Sequence, residues 1–155
     1  MHPNAERVGA ALRAAGSVGE VRELTKSART AAEAATALGC PVGAIVKSLV
    51  FAADGVPLLV LTSGSHTVDT DRLADALGLA TVTRADAEMV RSATGFPIGG
   101  VAPVGHPAPL QTVVDTALGR YDEVWAAAGT PHAVFPTTYE ELLRMTGGHP
   151  MEVGT

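Results

Sequence analysis

Apolar and polar positions along the chain repeat with two different periods, and the points where one period gives way to the other mark a succession of short helices and strands. Near the start, Val8, Leu12 and Ala15 fall on one helical stripe behind Asn4, a residue suited to capping, and Gly16 closes the stretch. Residues 20–25 read as a weak strand. Thr30 and Glu33 have the spacing of a capping box, which opens a helix over residues 31–38 that Gly39 and Pro41 stop. The next run, Ala44-Ile45-Val46-Lys47-Ser48-Leu49-Val50-Phe51, reads as a core strand. Side chains alternate faces in a strand, so Ile45, Lys47, Leu49 and Phe51 share one side and Ala44, Val46, Ser48 and Val50 the other. Asp54-Gly55 separates this run from a second one over residues 57–62, which is a strong hairpin signal.

Asp69 caps a helix that carries Leu73 and Leu77 on one face and ends at Gly78. A further helix starts at Thr83 or Ala85, runs through Met89, Val90 and Ala93, and ends at Gly95. Residues 94–107 then hold so many glycines and prolines that no regular element fits. Residues 110–114, 123–127 and 132–135 read as strands. Thr138 and Glu141 cap a last helix that Gly147 and Gly148 end, and residues 148–155 are expected to be a loose tail. The pattern gives one α+β domain over residues 1–155. It has an N-terminal helix within residues 1–17 and a core of about 18–147, with no repeat and no linker.

Composition narrows the function classes. The chain has 155 residues, 46% of them hydrophobic and 4% aromatic, which fits an aliphatic core of single-domain size. Lys47 and Asp54 break the longest apolar run, so no membrane span is expected, and no signal peptide is visible at the N-terminus. One cysteine, Cys40, excludes an internal disulfide framework and fits a reducing cytoplasm. His2, His66, His106, His132 and His149 lack zinc-type spacing, so neither a metal nor another cofactor is expected. Up to Arg29 the balance is +2, and the remainder carries −7, giving the net −5. A chain of that charge is not a bulk DNA or RNA binder, though it can hold one RNA end at a local site.

Two features invite chemistry. Lys47 is the one charge in an apolar run, and an ammonium there is costly without a partner or a wet cavity. Otherwise the lysine snorkels to solvent or pairs with a carboxylate. The second feature is the loop around Gly99-Gly100-Val101-Ala102-Pro103. It is not a phosphate loop, because His106-Pro107-Ala108-Pro109 follows and cannot open a helix at once. No serine hydrolase elbow is present, and Cys40 shows no sign of activation. A stiff run of backbone N–H groups can instead bind a carbonyl oxygen that becomes negative during ester cleavage. A tight structural turn is the plainer use of the same residues.

The run from Thr30-Ala31-Ala32-Glu33 to Leu38-Gly39, the segment Ile45-Val46-Lys47-Ser48-Leu49-Val50-Phe51, and the loop Thr94-Gly95-Phe96-Pro97-Ile98-Gly99-Gly100-Val101-Ala102-Pro103-Val104-Gly105 occur in that order. Together they resemble the YbaK-type, prolyl-tRNA synthetase-associated editing domain family, over about residues 18–147. The resemblance implies an α+β fold with a mixed, partly barrel-like sheet flanked by short helices. It also implies a free-standing hydrolase of mischarged aminoacyl-tRNA, with tRNA for proline carrying alanine, cysteine or another small residue as the expected substrate. The family's invariant lysine falls on Lys47, and its Gly-x-x-x-Pro loop falls on Gly99 through Pro103. His132 matches a histidine that shapes the aminoacyl pocket in some members. Ser48 replaces a common threonine and Ala102 a common serine, which leaves backbone N–H groups as the agents of the loop.

In the mechanism this implies, Lys47 binds terminal phosphate or ribose oxygens. N–H groups near Gly100, Val101 and Ala102 hold the ester carbonyl, and the substrate's own ribose hydroxyl activates water. Gly99, Pro103, Ser48, His132 and His66 are the expected substrate-binding residues. The expected partner is the 3′ end of a mischarged tRNA, with a synthetase or elongation factor as a further one. The oligomeric state is open. The competing reading is a non-catalytic or regulatory module that binds an aminoacyl-tRNA end without turnover.

Overall fold

The computed structural model describes residues 1–155. In order they form α1 (Pro3–Ala14), β1 (Arg22–Glu23), α2 (Ala31–Leu38), β2 (Val46–Ala53), β3 (Val56–Ser63), α3 (Thr70–Leu77), β4 (Val82–Arg84), α4 (Ala87–Thr94), β5 (Gln111–Asp115), β6 (Val124–Ala127), β7 (Ala133–Thr137), α5 (Tyr139–Thr146) and β8 (His149–Met151). Short 3-10 turns precede β2 and follow β5.

The β2–β3 hairpin is the longest ladder, with Val46 opposite Ser63 at one end and Ala53 opposite Val56 at the other. Its turn places both Asp54 and Gly55 at positive φ, 48° and 82°. That is the backbone twist a two-residue hairpin needs and the reason the pair Asp-Gly signals one. The hairpin anchors a five-stranded mixed sheet in the order β4-β2-β3-β5-β8, in which β5 and β8 run parallel to their neighbours. A separate three-stranded antiparallel sheet has the order β1-β7-β6. The two are joined by one bridge, Ile45 to Trp125. The mixed sheet flanked by helices is therefore present, but β4 and β8 remain as edges and the ladder does not close into a barrel.

Strand alternation sorts the core. Val46, Val50, Leu59, Leu61 and Val114 face the three-stranded sheet, where Val124, Ala126, Ala133 and Phe135 meet them, with α1 contributing Ala5, Val8 and Leu12. The opposite face carries Phe51, Leu58, Val60 and Val113, covered by Leu73 of α3 and by Val153. No helix is long and apolar enough to cross a membrane.

Local signals set most of the helix ends. Thr30 and Glu33 form the full capping box, and Gly39, Gly78, Gly95 and Gly147 close their helices in the left-handed conformation. Three elements differ from the sequence reading. The cap of α1 is His2, whose Nδ1 accepts from the Asn4 N–H at 3.0 Å, because Pro3 takes the first helical position, where its missing N–H costs nothing. Residues 82–84 are extended as β4, since pairing with residues 51–53 of β2 outweighs their weak helical pattern, and α4 starts later, behind Asp86. The expected loose tail instead forms β8 beside β5, with Val153 fully buried and the Thr67 N–H donating to the Thr155 carbonyl at 2.9 Å.

Candidate functional site

The site lies where β2 is unaccompanied. β3 pairs with the whole of it, but β4 pairs only with residues 51–53, and Trp125 bridges at Ile45. Between those two contacts, the edge formed by residues 46–50 opens onto a cavity of about 370 Å³. Val46, Val50, Ala126 and Ala133 give it apolar walls, while Lys47, Arg29 and Arg84 also line it. No aspartate or glutamate does so. In a chain of net charge −5, that is a local reversal of sign suited to an anionic ligand.

Lys47 is half-buried, and its Nζ donates to the His66 carbonyl at 2.6 Å. An ammonium has three protons, so two remain for a ligand. Burial holds the Lys47 pKa below the ordinary lysine value, Arg84 pushes it the same way, and Asp115 opposes them. Ser48 also lines the cavity, and its hydroxyl is buried with no hydrogen-bond partner.

The opposite wall is the glycine- and proline-rich loop, and its stiffness has identifiable causes. Phe96 is fully buried and pins the loop into the main core. The Phe96 N–H donates to Thr94 Oγ1 at 3.0 Å, and His106 Nε2–H donates to the Ala102 carbonyl at 2.7 Å. The Arg7 guanidinium lies 4.7 Å from the Phe96 ring centre. Gly99 needs its positive φ of 88°. A Cβ on Gly100 would stand 2.8 Å from the Thr130 Cα, so only glycine lets the loop lie flat on the turn between β6 and β7. The Gly100 N–H donates to the Pro97 carbonyl at 3.0 Å. Those of Val101 and Ala102, though both residues are buried, find no acceptor in the chain. Buried donors without an acceptor are uncommon and need an explanation, which a ligand oxygen in the cavity would supply for Val101, the one of the two that lines it.

The structure brings some of the expected residues together and leaves others out. Lys47, Ser48, Gly99 and Val101 line one cavity; Gly100, Ala102, Pro103, His66 and His132 are not among its lining residues. Gly100, Ala102 and Pro103 lie within the loop itself, and the His66 carbonyl holds Lys47 from behind. His132 is exposed, and its backbone serves β1 and the β6–β7 turn instead. Arg29, Arg84, Trp125 and Asp115 were missed. Only Asp115 had a sequence signal, as a charge ending the apolar run Val113-Val114. Burial raises the Cys40 thiol pKa, which disfavours a thiolate nucleophile.

A mixed sheet backed by short helices, with a cation-rimmed hollow facing a rigid glycine- and proline-rich loop, defines a small α+β domain with a site suited to an anionic ligand. Residues 25–145 match the aminoacyl-tRNA editing domain family, and the chain belongs to that family. It is 34% identical over 136 residues to the proline–tRNA ligase of Geobacter sulfurreducens, covering 81% of this chain and 24% of that one. The proline–tRNA ligase of Desulfovibrio desulfuricans is 32% identical over 133 residues, or 83% of this chain and 23% of the ligase. The chain thus spans between 16% and 24% of the length of the curated relatives it matches. Among solved structures, a protein described as a candidate trans-editing enzyme for prolyl tRNA synthetase superposes with a TM-score of 0.94 at 45% identity, over 100% of this chain and 99% of that one. A scaffold protein used for computational epitope grafting gives 0.92 at 41% identity, over 100% and 99%.

Proposed function

We propose that the chain acts in trans, hydrolysing the ester between a misplaced small amino acid and the terminal adenosine of a tRNA, with tRNA for proline as the favoured carrier. The observation that carries this reading is the cavity itself: three cations and no carboxylate among its lining residues, with Val101, whose N–H lacks an acceptor, on the loop wall and the equally unpaired Ala102 N–H next to it in the chain. The similarity to proline–tRNA ligases and to a candidate trans-editing enzyme supports the choice of tRNA and the mode of action.

In this mechanism Lys47, with Arg29 and Arg84 beside it, holds phosphate and ribose oxygens of the 3′ end. The Val101 and Ala102 N–H groups take the ester carbonyl oxygen as it becomes negative, the usual role of a preorganised donor pair. Gly100, whose N–H is occupied, contributes close packing rather than a hydrogen bond. Water attacks the carbonyl carbon and passes its proton by way of the neighbouring ribose hydroxyl. The ester oxygen leaves with the tRNA and the amino acid leaves as the free acid. With a cysteinyl ester, the substrate's own thiol attacks instead: the C–S bond forms as the C–O bond breaks, the thiol proton goes to the departing ribose oxygen, and the cyclic thioester released is opened by water to the free acid. No protein base is required, and no aspartate, glutamate or histidine lines the cavity. Apolar walls sort side chains by size, where one methylene separates neighbours by roughly 10–200-fold.

The test is a panel of tRNAs charged with radiolabelled amino acids and incubated with catalytic amounts of protein. Multiple turnovers on a tRNA for proline carrying a small residue, with correctly charged prolyl-tRNA spared, is the expected result. Label that is retained and protected from spontaneous loss would replace the hydrolase with a binding module.

A further inference from the structure

Behind Lys47 lies a buried polar cluster that the ester chemistry itself does not require. Asp115 ends β5 with 0% exposure, an unusual place for a carboxylate. Its Oδ1 accepts from the Ala117 N–H at 3.0 Å, an ordinary turn cap. Its Oδ2 does something else. That oxygen accepts from Thr62 Oγ1 at 3.1 Å and from the Ser63 N–H at 3.0 Å, and lies 3.0 Å from His66 Nδ1. A carboxylate offers only acceptors, so Nδ1 carries the proton in that contact. Thr62 and Ser63 end β3 and His66 lies just beyond it, and this stretch presents the His66 carbonyl to Lys47 Nζ at 2.6 Å. This is the only hydrogen bond the ammonium makes within the chain. A buried charge that does no more than cap a turn would be replaced at small cost by a neutral side chain; this one braces the segment that holds Lys47.

We propose that Asp115 and His66 are positioning residues for Lys47: the carboxylate locks the His66 ring, and the His66 carbonyl thereby aims the ammonium into the cavity. The inference rests on Lys47 being the ester's electrostatic contact, as proposed above. The charged groups felt by the ammonium agree with it. Burial and Arg84 both act against protonated Lys47, and Asp115 is the influence that acts for it. The carboxylate thus braces the segment that holds the ammonium and also favours its charged form.

Three variants test this. His66→Ala removes the ring but keeps a backbone carbonyl; His66→Asn restores an N–H near the position of Nδ1; Asp115→Asn keeps the shape and removes the charge. The expected result is a drop in kcat of about 10–100-fold for His66→Ala and Asp115→Asn at little-changed KM, the range seen when an outer partner that orients a functional group is lost. His66→Asn recovers most of the loss, and Asp115→Asn moves the alkaline limb of the rate to lower pH. A second readout does not depend on activity. The chain has two lysines, Lys26 and Lys47, so side-chain-labelled lysine gives two NMR titrations. In Asp115→Asn the Lys47 midpoint falls while that of Lys26 stays. Should Asp115→Asn fail to fold, the His66 pair carries the test, because that side chain reaches solvent at 13% exposure. Folded variants with wild-type kcat and an unmoved Lys47 titration overturn the proposal. A moved titration in a protein that deacylates nothing supports the positioning and removes the deacylase reading instead.

Discussion

The two walls of the cavity differ in how their hydrogen bonds are arranged. On the strand wall every polar group behind Lys47 is partnered: Asp115, Thr62, Ser63 and His66 form a closed cluster, and the ammonium leans on it. On the loop wall the side chains are satisfied, yet the Val101 and Ala102 amides are left over. One wall offers a charge fixed in place by a buried carboxylate, and the other offers neutral donors fixed in place by packing. An ester cleaved between them would have its leaving end held by charge and its carbonyl held by dipoles. The chain can separate the two roles because β2 supplies the charge and a loop more than 50 residues later supplies the donors.

The largest way to break this arrangement is at the charge. Lys47→Ala removes the group that the whole strand wall serves. Deacylation should fall about 10²–10³-fold, the usual cost of deleting one donor that stabilises developing charge. The melting temperature should hold or rise slightly, since a partly buried ammonium is itself a burden on the fold. Single-turnover rates on a mischarged tRNA, measured beside a thermal melt, check both halves. Near-wild-type turnover would take Lys47 out of the site and leave the loop wall to explain activity alone.

A smaller and different loss is expected on the other wall. Gly100→Val places a Cβ about 2.8 Å from the Thr130 Cα and 2.9 Å from its nitrogen, atoms that belong to backbone and yield little. The loop must lift off the β6–β7 turn, at a cost of about 1–3 kcal/mol in stability. The two free amides move with it. kcat should drop while the Lys47 titration stays where it is, because nothing on the strand wall is touched. Unchanged kinetics in a folded variant would reduce the loop to a structural turn.

The contrast between the walls also explains what could be read from the sequence. The Thr30–Glu33 capping box, the Thr138 cap, helix-ending glycines and the Asp54-Gly55 turn are decided by neighbours in the chain, and they were legible. β4 and β8 are three residues each and exist because distant strands offer them an edge, so no local period announces them. The same division runs through the site. Lys47 stood out as one charge in an apolar run, and the loop stood out by its glycines and prolines. Arg84 and Trp125 reach the cavity only through β4 and β6, which the fold, rather than the local pattern, brings there. The exposed position of His132 and the occupied N–H of Gly100 depend on how one turn packs, and composition holds no trace of either.

The smallest expected effects lie in pH, where the two walls respond at opposite ends. Burial, assisted by Arg7, holds His106 below its ordinary value of 6.5, and the hydrogen bond to the Ala102 carbonyl works the other way. The unfolded chain therefore binds more protons at His106 than the folded one between the lowered pKa and about 6.5. Stability rises with pH across that window and is lost on acidification, and the element that His106 braces is the loop. Lys47 gives the opposite limb for activity: its charge, and the rate with it, disappears as pH rises through a value below the ordinary 10.5. The fold gains slightly over that same alkaline range, because there too the unfolded chain binds the extra proton. Hydrogen exchange of the Val101 and Ala102 amides, followed from pH 7.5 downward in ~0.5-unit steps, should show the loop wall loosening first. His106→Gln keeps a donor for the Ala102 carbonyl but cannot take up a proton, so it should flatten the acid response and leave the alkaline limb untouched. If the variant keeps the wild-type acid response, the loop is held by Phe96 and its packing alone, and the titration of His106 has no part in it.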